Sequence, residues 1–235
     1  MSARIAALYR HAVKSMGGTE LARVDVGPAG IPGDRGWALR ETATGRPASA
    51  KRFAPLMLCQ ARYVDEPSAG KPLPPAEVTL PDGALARTDD ARANALLSRL
   101  LGAEVAFARK DDGAGHFDDL PLHFLTTATL AAMRTETGLD YDVRRFRPNV
   151  LIELTAPGRP EDAWPGASLR VGSIKVSILK PVKRCVMTTL PQPPLPQERG
   201  VLAEVLARGG ALGVYGEALA AGSWSVGDPI DVLTK

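Results

Sequence analysis

The sequence predicts a strand-dominated α+β protein with a barrel-like layout. Three observations carry that expectation. Apolar runs are short and numerous, Gly and Pro are frequent at 23 and 20 residues, and only three segments have helical periodicity. The 235 residues suffice to bury a sizeable core without a disulfide or structural metal. An apolar content of 45% and a charged content of 23% exclude a disordered tail, a collagen-like repeat and a coiled coil.

Residues 5–9, 24–26 and 37–39 are short apolar stretches that suit strands. Between the last two lies Gly27-Pro28-Ala29-Gly30-Ile31-Pro32-Gly33, which is irregular because Pro and Gly break both kinds of ladder. Leu56-Met57-Leu58 leads through Cys59 into Ala61 and Tyr63 and predicts a further strand, and Pro67, Pro72, Pro74 and Pro75 mark a surface loop. The first helix starts at Asp89-Asp90, whose carboxylates can cap free N–H groups. Ala93, Leu96, Leu97, Leu100 and Leu101 then share one face, and Gly102 suits the exit. A second helix is predicted over 127–137, with Leu130 and Met133 inward. A third covers 198–208, with Val201, Leu202, Val205 and Leu206 on one side. Residues 150–154 suit a strand. Ile174, Val176 and Ile178 alternate with Lys175 and Ser177, the period of a half-buried strand, and 226–232 closes the fold. The division into units is expected near residue 85, giving a β-rich subdomain at 1–85 and a second domain at 86–235.

A net charge of +3 fits an anionic small ligand and is too small to argue for nucleic acid. Residues 1–13 carry Arg4, Arg10 and His11 among apolar neighbours, with no signal-peptide core or cleavage pattern. No stretch reaches the roughly 18–20 apolar residues of a membrane span. Cys59 and Cys185 form no Cys-x-x-Cys pair. A cytoplasmic location with reduced thiols is therefore expected.

Several chemistries lack their motif. There is no P-loop, no His-Glu-x-x-His and no Gly-x-Ser-x-Gly, and Gly210, Gly213 and Gly216 have the wrong spacing for a dinucleotide fingerprint. His11, His116 and His123 lack ligand spacing and read as structural. Four basic-polar clusters remain: Val13-Lys14-Ser15, Gly33-Asp34-Arg35, the run from Arg144 to Asn149, and Lys180-Pro181-Val182-Lys183-Arg184-Cys185 followed by Thr188-Thr189. Each alone reads as a solvated turn. Together they suit a large, polar, anionic cofactor, because Arg presents a fork of donors to phosphate and other planar anions. Two cations directly precede Cys185, and positive neighbours favour a thiolate, the form that ligates soft metals or acts as a nucleophile. Cys59, in an apolar run, reads as a buried structural thiol.

The stretches HAVKSMGG, GIPGDRGWAL, FDDLPLHFLTTATL, RRFRPNVLIEL, PVKRCVMTTL and WSVGDPI resemble, in order, those of the MOSC domain family, named for the C-terminal domain of molybdenum cofactor sulfurases. The branch most resembled is the mitochondrial amidoxime reducing component and its bacterial relatives. The resemblance implies an N-terminal β-rich subdomain packed on a C-terminal β-barrel, with the molybdenum cofactor (Mo-molybdopterin) between them. It implies that Lys14 and Ser15 belong to the first cofactor loop, that Arg35 grips the pterin phosphate, that Thr127 and Thr129 fall in the segment contacting the pterin, and that Arg147 and Asn149 hold the cofactor. Cys185 would ligate molybdenum and carry catalysis, with Lys183 and Arg184 beside it. The implied activity is reduction of N-hydroxylated substrates such as hydroxylamines, N-hydroxylated bases and amidoximes. No iron–sulfur, flavin or nicotinamide site is legible, so a separate electron-donor protein, a ferredoxin- or flavin-type reductase, is the expected partner; neither nucleic acid nor membrane is. Two other readings stay open: a cofactor carrier or sulfur-handling module without turnover, and a barrel that binds another phosphate compound with Cys185 structural. Many relatives continue with an acidic Asp-Pro after the Thr-Thr. Here Leu190 leads into Pro191-Gln192-Pro193-Pro194-Leu195-Pro196, a departure that bears on the substrate pocket.

Overall fold

A computed structural model describes residues 3–110 and 115–233. The first part of the chain forms β1 (Ala3–Arg10), β2 (Thr19–Leu21), β3 (Arg23–Val26), β4 (Trp37–Glu41), β5 (Pro47–Ala48), β6 (Gln60–Tyr63), β7 (Ala76–Thr79), β8 (Leu85–Arg87), α1 (Ala91–Leu101) and β9 (Val105–Arg109). The second part forms β10 (Leu122–Thr126), α2 (Thr127–Thr137), β11 (Val150–Leu154), β12 (Ser168–Val171), β13 (Ile174–Lys183), α3 (Arg199–Ala207), β14 (Ala211–Ala218), β15 (Gly222–Ser225) and β16 (Pro229–Leu233).

Seven strands close a barrel in the order β1-β11-β10-β14-β13-β12-β16 and back to β1. Only the β10–β11 pair is parallel. Alternate residues point inward, as the period of a strand requires. Ile5, Phe124, Ile152, Leu169, Val176, Ile178 and Val214 fill the barrel, joined by Val24 and Trp224 from the β3–β15 ribbon. The expected strand-dominated α+β barrel is thus the observed fold.

A second core lies between two three-stranded sheets, β5-β4-β9 and β6-β7-β8, and α1. Trp37, Leu39, Leu56, Met57, Leu97 and Val105 build it, together with Val13 and Met16 from the segment leaving β1. The division between the cores therefore does not fall near residue 85. α1 and β9 pack with the N-terminal sheets, β9 pairing with β4 throughout, while β1 belongs to the barrel. A third core seals the outside of the barrel, where Leu130 and Met133 of α2 and Val201 and Val205 of α3 meet Leu125 and Leu212.

The helices end where local chemistry stops them. The Asp90 carboxylate accepts the Arg92 N–H at 2.9 Å, and Gly102 and Gly138 take left-handed φ of 62° and 73° after α1 and α2. Two expectations are corrected. Ala54–Leu58 is a 3-10 turn with Pro at its start and Leu56 and Met57 buried, so the strand begins only at Gln60. The closing strand is interrupted at Gly227, with φ of 93°, where the Asp228 carboxylate accepts the Ser225 N–H at 2.8 Å.

The start of α2 is pinned from below. Glu161 is fully buried and accepts the Thr126 N–H at 3.2 Å, the Thr126 hydroxyl at 2.7 Å and the Thr129 hydroxyl at 2.5 Å. Thr126 in turn caps the Thr129 N–H at 3.0 Å. Glu161→Ala leaves three buried donors without this acceptor and is expected to cost about 3 kcal/mol. Urea denaturation measures it, and a loss within experimental error of zero contradicts the pinning.

Candidate functional site

The chain leaving β1 runs beside the start of β4. Lys14 N–H donates to Trp37 O at 2.8 Å and Trp37 N–H to Ala12 O at 3.1 Å. The turn this forces puts Ser15 at φ 68°, with its buried hydroxyl accepting the Ala50 N–H at 3.1 Å. Lys14 Nζ reaches His116 O at 2.7 Å and Asp118 Oδ1 at 2.6 Å.

Asp34, 1% exposed, holds the Gly-Pro loop against this segment. One of its oxygens accepts the His11 N–H at 2.8 Å, and the other pairs with the Arg35 guanidinium. Arg35 N–H donates to His11 O at 2.6 Å, its φ is 51°, and its Nη2 donates to Arg147 O at 3.2 Å. Arg147, at φ 54°, sends Nη1 to Met16 O. Asn149 stitches strands, its side-chain oxygen accepting the His123 N–H at 3.1 Å and its Nδ2 donating to Tyr9 O at 3.4 Å.

Arg184 is tied on every side. Its Nε donates to Leu212 O at 2.9 Å, Nη1 to Phe146 O at 2.9 Å, and Nη2 to Leu212 O and to His123 Nε2 at 2.7 Å. Its guanidinium carbon also lies 5.4 Å from the Phe146 ring centroid. Because Arg has only donors, Nε2 of His123 must be the acceptor, and the proton of that ring sits on Nδ1. Cys185 follows, half-buried, in extended conformation at the start of the 3-10 turn Val186–Thr189.

These segments surround one cleft. Lys14, Ser15, Arg35, Arg147, Asn149, Lys183, Arg184 and Cys185 all line it. Thr127 and Thr129 do not, which corrects the expectation for them. The Thr129 hydroxyl is spent on Glu161, and that of Thr127 accepts the Leu154 N–H at 3.2 Å. Sequence reasoning missed Asp118, His123, Phe146 and Tyr215 as lining residues. Arg145 also lines the cleft, so among the described residues six cations and one carboxylate, Asp118, face it. Burial lowers Arg147 to about 9 and Arg184 to about 10, and both remain charged at neutral pH. Burial also raises the Tyr215 phenol, which keeps its O–H. The space these residues enclose is about 90 Å³. Cys59 is wholly buried outside the cleft, where burial raises its thiol to about 11.

Two family models match the chain, the MOSC domain over residues 111–231 and the MOSC N-terminal beta barrel domain over residues 2–103. The YuaD protein of Bacillus subtilis has a similar fold at 15% identity and a TM-score of 0.54, covering 100% of this chain and 97% of that one. YiiM of Geobacillus stearothermophilus is similar over 50% of this chain and 56% of its own, at 16% identity and a TM-score of 0.37. YiiM of Escherichia coli is similar over 53% and 58%, at 15% identity and a TM-score of 0.36. No curated protein matches the chain by sequence.

Burial first, then nearby arginines, lowers the pKa of both His11 and His123 well below the ordinary histidine value. In the unfolded chain each takes up a proton below about pH 6.5, which the folded state refuses. Their contribution to stability is therefore complete above that pH and lost as pH falls, by up to ~1.4 kcal/mol per unit for each. Urea midpoints taken between pH 7.5 and 5 should fall, and His123→Gln should flatten the slope. A level profile in the unaltered protein contradicts neutral buried rings.

Proposed function

The chain belongs to the MOSC domain family, and from that premise we propose that it is an oxidoreductase that binds the molybdenum cofactor. It reduces N-hydroxylated small molecules (hydroxylamines, N-hydroxylated bases or amidoximes) with electrons from a separate ferredoxin- or flavin-type donor protein. One observation carries the reading. Among the described residues, the non-glycine positions with left-handed backbone are Ser15, Arg35 and Arg147, and all three border the cleft that holds Cys185. Such conformations cost of order 1–3 kcal/mol each and persist where the surroundings over-determine them, typically at ligand sites.

The donor set fits the cofactor. Six cations against one carboxylate suit a phosphate-bearing anion. Lys14, Ser15 and Arg35 would take the phosphate, and Arg147 and Asn149 the pterin side. Cys185 offers a soft sulfur ligand to the metal. Among the described residues no group of three or more His, Cys, Asp or Glu could hold a metal, so a metal at Cys185 would bring its other ligands with it. A phosphorylated pyranopterin is larger than the enclosed 90 Å³. Both partners of the Lys14–Asp118 pair line that space, so parting them widens the cleft and frees Nζ for the phosphate.

Bound there, the cofactor would supply two-electron redox chemistry. The reaction balances as one N–O bond broken, one N–H bond formed and the oxygen released as water, at the expense of two electrons and two protons. The protein's own part is positional and electrostatic. The fixed charge of Arg184 stands next to the thiol, the left-handed turns place Ser15, Arg35 and Arg147 at the border of the cleft, and Tyr215 keeps a phenolic proton on its wall. Among the described residues no helix is long and apolar enough to cross a membrane.

Metal-loaded Cys185→Ser is expected to lose at least 99% of hydroxylamine or amidoxime reduction with an artificial donor, equivalent to ~2.7 kcal/mol or more in transition-state stabilisation. Turnover equal to the unaltered protein refutes the role of the thiol. Arg35→Ala should lower molybdenum per chain several-fold by elemental analysis of protein from a molybdenum-replete host. Full cofactor content without any turnover in the unaltered protein supports a carrier in place of an enzyme.

A further inference from the structure

A second cavity, of about 150 Å³, shares only Arg147 with the cleft. Three of its lining side chains are more than nine-tenths buried, His11 at 5%, Arg147 at 8% and Gln192 at 5% exposed, and each holds a polar atom without a hydrogen-bond partner. The atoms are both ring nitrogens of His11, Nη2 of Arg147 and Nε2 of Gln192. The His11 ring lies near the Pro148 carbonyl but makes no bond of acceptable geometry to it. A buried polar group left unpaired is costly, and a buried cation more so. Arg147 is such a cation. Its charge has no carboxylate pairing within the described residues, since Asp34 is spent on Arg35 and on the His11 N–H.

The geometry points to this cavity as a second ligand site that takes a small carboxylate with an apolar tail. Every unpaired side chain around it can donate. Arg147 Nη2 and Gln192 Nε2 can do nothing else, and a neutral His11 offers one N–H. The complement is therefore an acceptor with negative charge, and Nη2 of Arg147, its Nη1 being held by Met16 O, suits an oxygen of a carboxylate. The remaining wall has Tyr9, Val143, Pro148 and Pro193 beside Gln60 and Arg144, the latter paired with Asp142, and its apolar part suits a short hydrocarbon or aromatic tail. Glu20 at the rim is exposed, so water screens its charge.

The site is built by the backbone. Gly17 and Gly18 line it, and a Cβ on Gly18 would lie 2.4 Å from His11 Nδ1, so glycine there lets the ring stand against the loop. Gln192 is held by a paired bridge, its N–H donating to Leu195 O at 3.0 Å and its carbonyl accepting the Leu195 N–H at 2.6 Å. Gln192 and Pro193 belong to the proline-rich stretch that follows Leu190. This inference stands on the cavity and does not need the molybdenum reading.

The test uses purified full-length chain and the probes propionate and benzoate. The chain has three histidines, so ring proton and carbon signals can be assigned singly by NMR. Saturable movement of the His11 signal is expected. Gln192→Leu should weaken binding about tenfold or more, the loss of one hydrogen bond to a charged group. Lys14→Ala, which alters the cleft alone, should leave the affinity within about threefold. Should Gln192→Leu fail to fold, His11→Phe read by calorimetry replaces it, with loss of binding expected. No saturable response at His11, or equal affinity in Gln192→Leu or its replacement, overturns the site. Binding abolished by Lys14→Ala and untouched by Gln192→Leu overturns it as well, because the anion then sits in the cleft; loss of cofactor in Arg35→Ala bears on the molybdenum reading and not on this one.

Discussion

A buried carboxylate holds the cleft together. Asp34 accepts the His11 N–H and pairs with the Arg35 guanidinium, and that guanidinium reaches on to the carbonyl of Arg147. Three loops that are far apart in the chain are thereby fastened to one another through a single acid. Taking one carboxylate out of water is expensive unless it is paired and hydrogen-bonded, and this one is both. The arrangement fixes where positive charge stands in the cleft, because Arg35 cannot swing away without leaving a bare anion in the interior.

The loops so fastened carry the strain. Ser15, Arg35 and Arg147 sit in a backbone region that glycine would occupy at less cost, and each has a side chain that glycine lacks. The surroundings over-determine each of them: Ser15 by its bond to Ala50, Arg35 by its bonds to Asp34 and His11, and Arg147 by its bond to Met16. Arg184 follows a different logic. With its donors given to two carbonyls and a histidine, it acts as a strut with a permanent charge and not as a free hand for an anion.

Local chemistry made much of this legible. Asp90, Gly102 and Gly138 mark helix ends by rules that operate within one turn, and the alternation at 174–178 reports one face of β13 in the barrel. β10 carries no such signal. Its residues are buried on both faces, Phe124 toward the barrel and Leu125 toward α2 and α3, so Leu122-His123-Phe124-Leu125 has no polar side from which a period could be read. Leu56 and Met57 are apolar for a 3-10 turn packed in the second core, and an apolar run of three does not tell a turn from a strand. In the cleft, the short motifs around Lys14, Arg35, Arg147 and Cys185 were recognisable as sequence. His123 was not, because the partner that gives it a role, Arg184, lies 61 positions away. Thr129 reads as a site residue only while Glu161, 32 positions downstream, is out of view, and Thr127 only while Leu154, 27 positions downstream, is.

The closure of the barrel has a bearing on how the molecule comes into being. β1 is wedged between β11 and β16, so it needs partners far downstream, among them Glu153 and Pro229. Contacts of such long sequence separation slow folding and leave edges exposed meanwhile. Without β16 the barrel is an open sheet in which Ala3 and Arg4 of β1 lack their partners along one edge, while β2 still covers Leu8 to Arg10.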